Sequence, residues 1–474
     1  DYIKDECTDE HGNVSKPYYE IDPVNWSRLK EKYEKDDIKE TLAEILMQYD
    51  PPYMDISLEE ATADFRKLGI HSYAKQNEYI KESRQVNYSD WMTDVEEIDE
   101  KSVEIDDQLD SSYLDKPSSA ERYEKTKTKI IKRRLDSLFV DTPWFARSEY
   151  KWKLSNRVLK RNNAGNKASN YFQQKNRWSV DGSVSPGPLR TWNNIDFMTS
   201  LMGSLFTLKA EKVDKSTLRT SIGLRKYICS QFRPNVAKHI YNFYLDSLDA
   251  EFRDNLNEVR TVLDFSMGWG DRLCGFYASD ATTYIGIDPR IENHPIYDEQ
   301  KLYYEQFVGE RQTKFIPSPA EDADLTDYEN SVDLIFTSPP YFSVERYSYD
   351  DTQSWVRHKN IDRWNEDFLH KALNNVLTTL KSGGLLMVNI SDVNASSKGT
   401  KGGKQWLKIC DPMNEYLKSR GDMKYVECFG MEMAKRPNCL GIGTADDIDD
   451  SNMDAEYHER EGSFGEPVWV WQKN

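Results

Sequence analysis

The sequence predicts an α/β protein: a doubly wound, mostly parallel sheet in the carboxyl-terminal half, preceded by a mainly helical extension. Three stretches carry that prediction. Val332-Asp333-Leu334-Ile335-Phe336-Thr337 is a short, β-prone apolar run. Pro339 and Pro340 must terminate it, because proline cannot continue a sheet ladder, and this leaves Ser338 and Tyr341 at the strand's carboxyl end. Thr261-Val262-Leu263-Asp264 is a second run, leading into Phe265-Ser266-Met267-Gly268-Trp269-Gly270. Glycines are needed there if backbone amides approach a ligand and the chain turns sharply into a helix. Tyr284-Ile285-Gly286-Ile287-Asp288 is a third, ending in an acid that Pro289 fixes in place. Open α/β sheets bind ligands at the carboxyl ends of their strands, so these three ends form the candidate site.

In chain order, the 474 residues suffice for two or three domains with sizeable cores. No apolar run approaches membrane-spanning length and no signal peptide opens the chain, so a cytoplasmic setting with no membrane partner is expected. Cys7, Cys229, Cys274, Cys410, Cys428 and Cys439 never form a CxxC pair, which predicts reduced thiols and no metal site. Residues 1–85 read as a helical module: Asn25-Trp26-Ser27 opens a helix, residues 38–47 have helical apolar spacing, and Ser57-Leu58-Glu59-Glu60 is a capping box before residues 61–68. Residues 86–120, acidic and Ser-rich, read as a linker, and a long basic helix is predicted over 120–138.

The net charge of −18 argues against a polyanion partner only on average. Residues 1–120 hold 14 Lys and Arg against 31 Asp and Glu, whereas residues 121–240 hold 25 against 9. A basic middle between acidic flanks is the footprint expected of a nucleic-acid partner; the alternative is a basic face docked on the acidic amino-terminal part. Within it Lys151, Lys153, Arg157, Lys160, Arg161 and Arg177 alternate with Trp144, Tyr150, Trp152, Phe172 and Trp178, a mixture suited to phosphates and stacked bases or, in part, to a small aromatic core. Residues 121–220 are therefore the candidate recognition region, with residues 347–364 as a second contributor, and residues 181–188 read as a loop.

From residue 221 to the end the pattern is that of one α/β domain. A helix is predicted over 235–244, strands over 315–316 and 385–390, and a helix over 368–380 that Lys381-Ser382-Gly383-Gly384 ends. Residues 425–430 and 467–471 read as a final antiparallel pair, interrupted by an acidic insertion over 444–461.

Ser338-Pro339-Pro340-Tyr341 after a hydrophobic strand resembles the catalytic motif of the DNA amino-methyltransferases, which methylate exocyclic amines of bases with S-adenosylmethionine. The resemblance covers about residues 221–471 and implies the Rossmann-like class I methyltransferase fold. It assigns Phe232 to the loop and helix over the cofactor's methionine end, Asp264, Ser266, Gly268 and Gly270 to the cofactor loop, Asp288 to the ribose, and Glu321 or Asp322 to the adenine. Where the family has Asp-Pro-Phe-x-Gly-x-Gly, Phe265 and Ser266 replace the Pro and Phe. A second match, Asp50-Pro51-Pro52-Tyr53, follows a helix, so we read it as a helix-terminating turn.

Direct transfer to a base flipped from a duplex is the chemistry implied, with the serine favouring cytosine N4 over adenine N6. The hydroxyl of Ser338 and the carbonyl of Pro339 accept the amine's hydrogens, which aims the nitrogen lone pair at the methyl group, while Tyr341 stacks on the base. Alignment supplies most of the acceleration. An RNA base methyltransferase and a catalytically silent DNA-binding protein of the same fold are the competing expectations.

Overall fold

Apolar runs buried on both faces become the inner strands of one large sheet, as parallel strands require. The computed structural model describes residues 20–69, 139–183, 185–252, 260–398, 405–433 and 462–474. In chain order the strands are β1 (Phe139–Asp141), β2 (Trp144–Phe145), β3 (Arg157–Leu159), β4 (Asp181–Gly182), β5 (Thr261–Asp264), β6 (Thr283–Ile287), β7 (Gln312–Ile316), β8 (Val332–Thr337), β9 (Glu345–Arg346), β10 (Leu380–Asn389), β11 (Val393–Ala395), β12 (Gln405–Leu407), β13 (Met423–Glu432) and β14 (Ser463–Lys473).

The main sheet runs β1-β3-β13-β14-β10-β8-β5-β6-β7, with β2 added along β14. From β7 to β10 every pairing is parallel; β14 runs antiparallel between β10 and β13, with β2 alongside it in the same direction, and β1 is reversed against β3 at the far edge. Six parallel strands, β7, β6, β5, β8, β10 and β13, with the reversed β14 before the last of them, make the class I methyltransferase sheet. Asp333, the acid ahead of the apolar run of β8, accepts the Thr261 amide at 2.8 Å and the Lys381 ammonium at 2.6 Å, so it sets β8 against both flanking strands.

The helical extension is partly as read. The first helix starts earlier than expected, at Pro23, because Asp22 caps it and proline suits the first helical position. Ser57 and Glu60 form the capping box of helix Leu58–Arg66, and helix Lys35–Leu46 ends before Asp50-Pro51-Pro52-Tyr53, which no strand delivers. Trp26, Leu42 and Leu46 pack with Leu201, Leu205 and Leu218 from helices Ile195–Thr207 and Lys215–Arg225, so residues 185–225 complete the amino-terminal helical cluster.

The described part of the 121–220 segment, from residue 139 on, is not one separate region. β1 and β3 extend the main sheet at the β13 edge, residues 144–154 pack on the same sheet, helix Asn166–Trp178 packs between helices Leu58–Arg66 and His294–Val308, and residues 185–220 join the helical cluster. The 181–188 loop begins with an antiparallel pair, β4 on β9. The single helix expected over 368–380 is three joined pieces, Ile361–Trp364, the π-turn Asn365–His370 and Lys371–Leu377. Lys381 to Gly384 belong to β10, where the register shifts between Leu380 and Leu385. The 86–120 linker, the 120–138 helix and the 444–461 insertion lie outside the described residues.

Candidate active site

The glycine loop after β5 is held from below by Asp264. Its fully buried carboxylate accepts Arg272 Nε at 2.7 Å, Tyr284 Oη at 2.8 Å, Thr337 Oγ1 at 2.9 Å and the Ser266 amide at 3.2 Å. Three strand ends, β5, β6 and β8, thus meet at one acid, and Arg272 also carries the Phe232 ring 5.1 Å from its guanidinium. Asp264 and Phe232 therefore shape the site by holding its floor; the Asp264 carboxylate is fully engaged within the protein.

Above that floor lie the loop glycines and Asp288. Gly268 (φ +57°) and Gly270 (φ +74°) adopt the left-handed backbone that glycine permits. A Cβ on Gly268 would meet only the Ser266 carbonyl, at 3.8 Å, whereas one on Gly270 would sit 2.2 Å from Gln300 Oε1. Asp288 accepts the Gly268 amide at 2.8 Å and the Arg290 amide at 2.9 Å, and burial pushes its carboxyl up to about 6. Trp269 lies under the Arg290 guanidinium at 5.2 Å. In the turn after β7, Arg357 binds Glu321 at 3.0 Å and Asp322 at 2.6 Å, leaving Glu321 Oε2 buried without a partner. Both amide atoms of Asn235, which is 2% exposed in the first turn of helix Pro234–Phe252, also lack partners. An open glycine, an acid at the β6 end and orphaned polar atoms at two flanks suit an extended polar cofactor such as S-adenosylmethionine.

The catalytic corner follows directly. Thr337 pairs with Val388 and Leu263 with Ile335, so Ser338 leaves the sheet beside the β5 loop. Pro339 is buried, Ser338, Pro340 and Tyr341 are half-buried, and Phe342 (φ +51°) turns the chain with its ring against Trp364 at 6.0 Å. Tyr341 Oη reaches the Asn389 carbonyl at 3.4 Å. Burial, then the adjacent Glu466 carboxylate, pushes the Tyr341 phenol well above its ordinary value, so it stays protonated.

Residues 332–438 match the family model described as DNA methylase. Over that span the chain is similar to the DNA amino-methyltransferases. S-adenosylmethionine is accordingly the cofactor of this methyltransferase. Among solved structures, TrmN from Thermus thermophilus is 12% identical, covering 51% of this chain and 49% of its own, at a TM-score of 0.28. A geranyl diphosphate C-methyltransferase from Streptomyces coelicolor A3(2) is 12% identical over 48% of this chain and 78% of its own, at 0.29. Scores this low carry no argument about what the chain acts on. No curated protein matches it.

Two carboxylates near this corner escaped the sequence reading. Glu345, on β9, accepts Tyr227 Oη at 2.7 Å, Ser230 Oγ at 3.4 Å and Tyr347 Oη. A Cβ on Gly182, its partner on β4, would collide with the Tyr227 ring at 2.6 Å. Glu466, on β14, lies against Tyr341 and Asn389. Glu345 follows the motif closely enough to have been suspected; nothing in the local sequence marks Glu466.

The basic residues are largely committed to internal partners. Arg157 pairs with Glu427 at 3.0 Å and stacks on Phe139 and Phe243, Lys160 pairs with Glu432 at 2.6 Å, and Lys151 pairs with Glu415 at 2.9 Å. Arg177 is buried, donating to Asn170 and to the Cys229 carbonyl. Lys153 is exposed and Arg161 is half-buried beside Met433. The docking expected against the amino-terminal acids occurs at Lys167–Glu60 and Lys215–Asp55, but the acids facing Arg157 and Lys160 come from β13. The aromatics of this segment are core: Tyr150 meets Trp469 edge-on at 5.1 Å and Trp152 meets Trp471 at 5.2 Å.

Gly268→Val is expected to abolish S-adenosylmethionine binding while the chain stays folded. The added side chain enters the one open space of the loop, and the left-handed backbone costs roughly 1–2 kcal/mol. Calorimetric titration checks this; wild-type affinity in the variant would remove the loop from the cofactor site.

Proposed function

We propose that the chain methylates the exocyclic amine of a DNA base, cytosine N4 in preference to adenine N6, on a base flipped out of the duplex. One observation carries the reading: the amine-accepting corner at Ser338 and Pro339 leaves β8 next to the glycine loop of β5, where the cofactor's groups find their partners. S-adenosylmethionine supplies an electrophilic methyl group when bound. The Ser338 hydroxyl and the Pro339 carbonyl hold the amine by its hydrogens and turn its delocalised lone pair outward. Tyr341 lies flat against the base, and the buried corner excludes water from the reacting nitrogen. Exposed Lys153 and half-buried Arg161 are the basic residues left to meet the phosphate backbone in this reading.

The test is incubation of the purified chain with labelled S-adenosylmethionine and either duplex DNA or RNA, followed by nucleoside analysis. Label in N4-methyldeoxycytidine is the expected result. Label in N6-methyldeoxyadenosine would overturn the choice of base, label in RNA alone the choice of nucleic acid, and DNA binding without transfer the choice of an enzyme.

A further inference from the structure

Methylating an amine leaves a proton to be disposed of. As the new nitrogen–carbon bond forms, the carbon–sulfur bond breaks and its electrons leave with the sulfur as a neutral thioether. The nitrogen is left with a positive charge and one proton too many. A serine hydroxyl cannot keep that proton, so the Ser338 corner needs an acceptor behind it.

The sheet topology brings one there. β14 runs against its neighbours, so its amino-terminal half lies at the same edge as the carboxyl ends of β8 and β10. Val388 pairs with both Thr337 and Trp469, and Asn389 pairs with Val468, which places Glu466 beside the residues that follow Thr337. The Tyr341 hydroxyl reaches the Asn389 carbonyl at 3.4 Å, and the Ser338 hydroxyl and the Glu466 carboxylate are its other side-chain neighbours. The Asn389 amide completes the setting of Glu466.

We infer that Glu466 is the terminal proton acceptor of the transfer, reached through Ser338 and Tyr341. Resting on the amino-methylation reading above, the step balances. Ser338 Oγ takes the amine proton as it passes its own to Tyr341 Oη, and Tyr341 passes its own to Glu466, which becomes the neutral acid and later yields the proton to water. Serine and tyrosine end as they began. Burial, first, raises the Glu466 carboxyl above the ordinary range, the hydrogen bonds from Tyr341 and Asn389 lower it, Glu345 on β9 raises it, and Arg161 after β3 lowers it. Cys410 is the remaining titratable group facing Tyr341. A carboxylate with a raised value is a stronger proton acceptor than a solvated one, provided the pH lies above that value.

The experiment compares the wild-type chain with Glu466→Gln and Glu466→Asp in single-turnover methylation of duplex DNA across pH. Cofactor calorimetry and infrared titration of carboxyl groups in the cofactor-free chain accompany it. Glu466→Gln should slow transfer about a hundredfold, with cofactor affinity kept. It should also flatten the rise in rate that the wild type shows as Glu466 loses its proton with increasing pH. Glu466→Asp should restore part of the rate, and the infrared band of one protonated carboxyl should be missing from Glu466→Gln. A Glu466→Gln chain with the wild-type rate and pH profile overturns the inference and leaves the function standing. So does a slow variant that has lost cofactor affinity in step and that aspartate does not rescue, since that is a structural role. A wild-type chain that methylates no DNA brings down the function and the inference together.

Discussion

Tyr341→Ala is expected to slow methyl transfer at least about 100-fold, about 2.7 kcal/mol of barrier, with cofactor affinity nearly unchanged. In the proposed function the ring supplies both the surface for the base and a hydroxyl near Ser338, and it packs beyond the end of β8, whereas the proposed cofactor contact of Gly268 with Asp288 joins the ends of β5 and β6. The matching change in the upstream Pro-Pro-Tyr has a different expected result. Tyr53 lies against Trp178 at 4.9 Å under the Lys175 ammonium, inside the helical cluster. Tyr53→Ala should cost some stability and leave the chemical step near the wild-type rate. Single-turnover methylation with both variants decides between the two corners. An inactive Tyr53→Ala beside an active Tyr341→Ala would place the catalytic corner upstream.

Arg272→Met carries the largest expected loss of stability. Asp264 is fully buried and Arg272 is 5% exposed, so removing the cation strands a charge in the centre of the sheet. Removing one partner of such a pair costs about 3–5 kcal/mol, whereas a matched pair of neutral side chains is tolerated far better. Denaturant unfolding should show that loss for Arg272→Met, and a partial recovery in the double variant Arg272→Met with Asp264→Asn. Equal stability of the wild type and the single variant would mean that Tyr284, Thr337 and the Ser266 amide satisfy Asp264 by themselves.

The parts of the fold that were legible are those whose burial leaves a mark on neighbouring residues. β5, β6, β8 and β10 are buried on both faces and read as unbroken apolar runs, and the breakers behind β8 and β6 fixed where Ser338 and Asp288 stand. β1 and β3 are three residues each, too short to show a period, so their addition to the β13 edge left no trace in the pattern. The basic segment misled for a different reason: a count of charges does not reveal that Glu427 and Glu432, far along the chain, neutralise Arg157 and Lys160. The corner itself was legible from Ser338-Pro339-Pro340-Tyr341. Its two acids were not, because Glu345 depends on the β4–β9 pairing and Glu466 on the reversal of β14.

Helix Asn166–Trp178 and the residues just after it touch the cofactor loop: Asn176 reaches Asn293, Ser179 accepts Arg290, and Val180 packs with Trp269. Asn293 and Arg290 in turn hold Gly268 and Trp269. One wall of the proposed cofactor pocket is therefore built by chain that precedes the methyltransferase fold, and the same segment closes over the helical cluster through Trp178. Residue 221 is where the sequence pattern changes, yet it is no seam in the molecule. A change of target preference in such a protein has to arise by substitution within the joined body, since exchanging the upstream part would take the pocket wall with it.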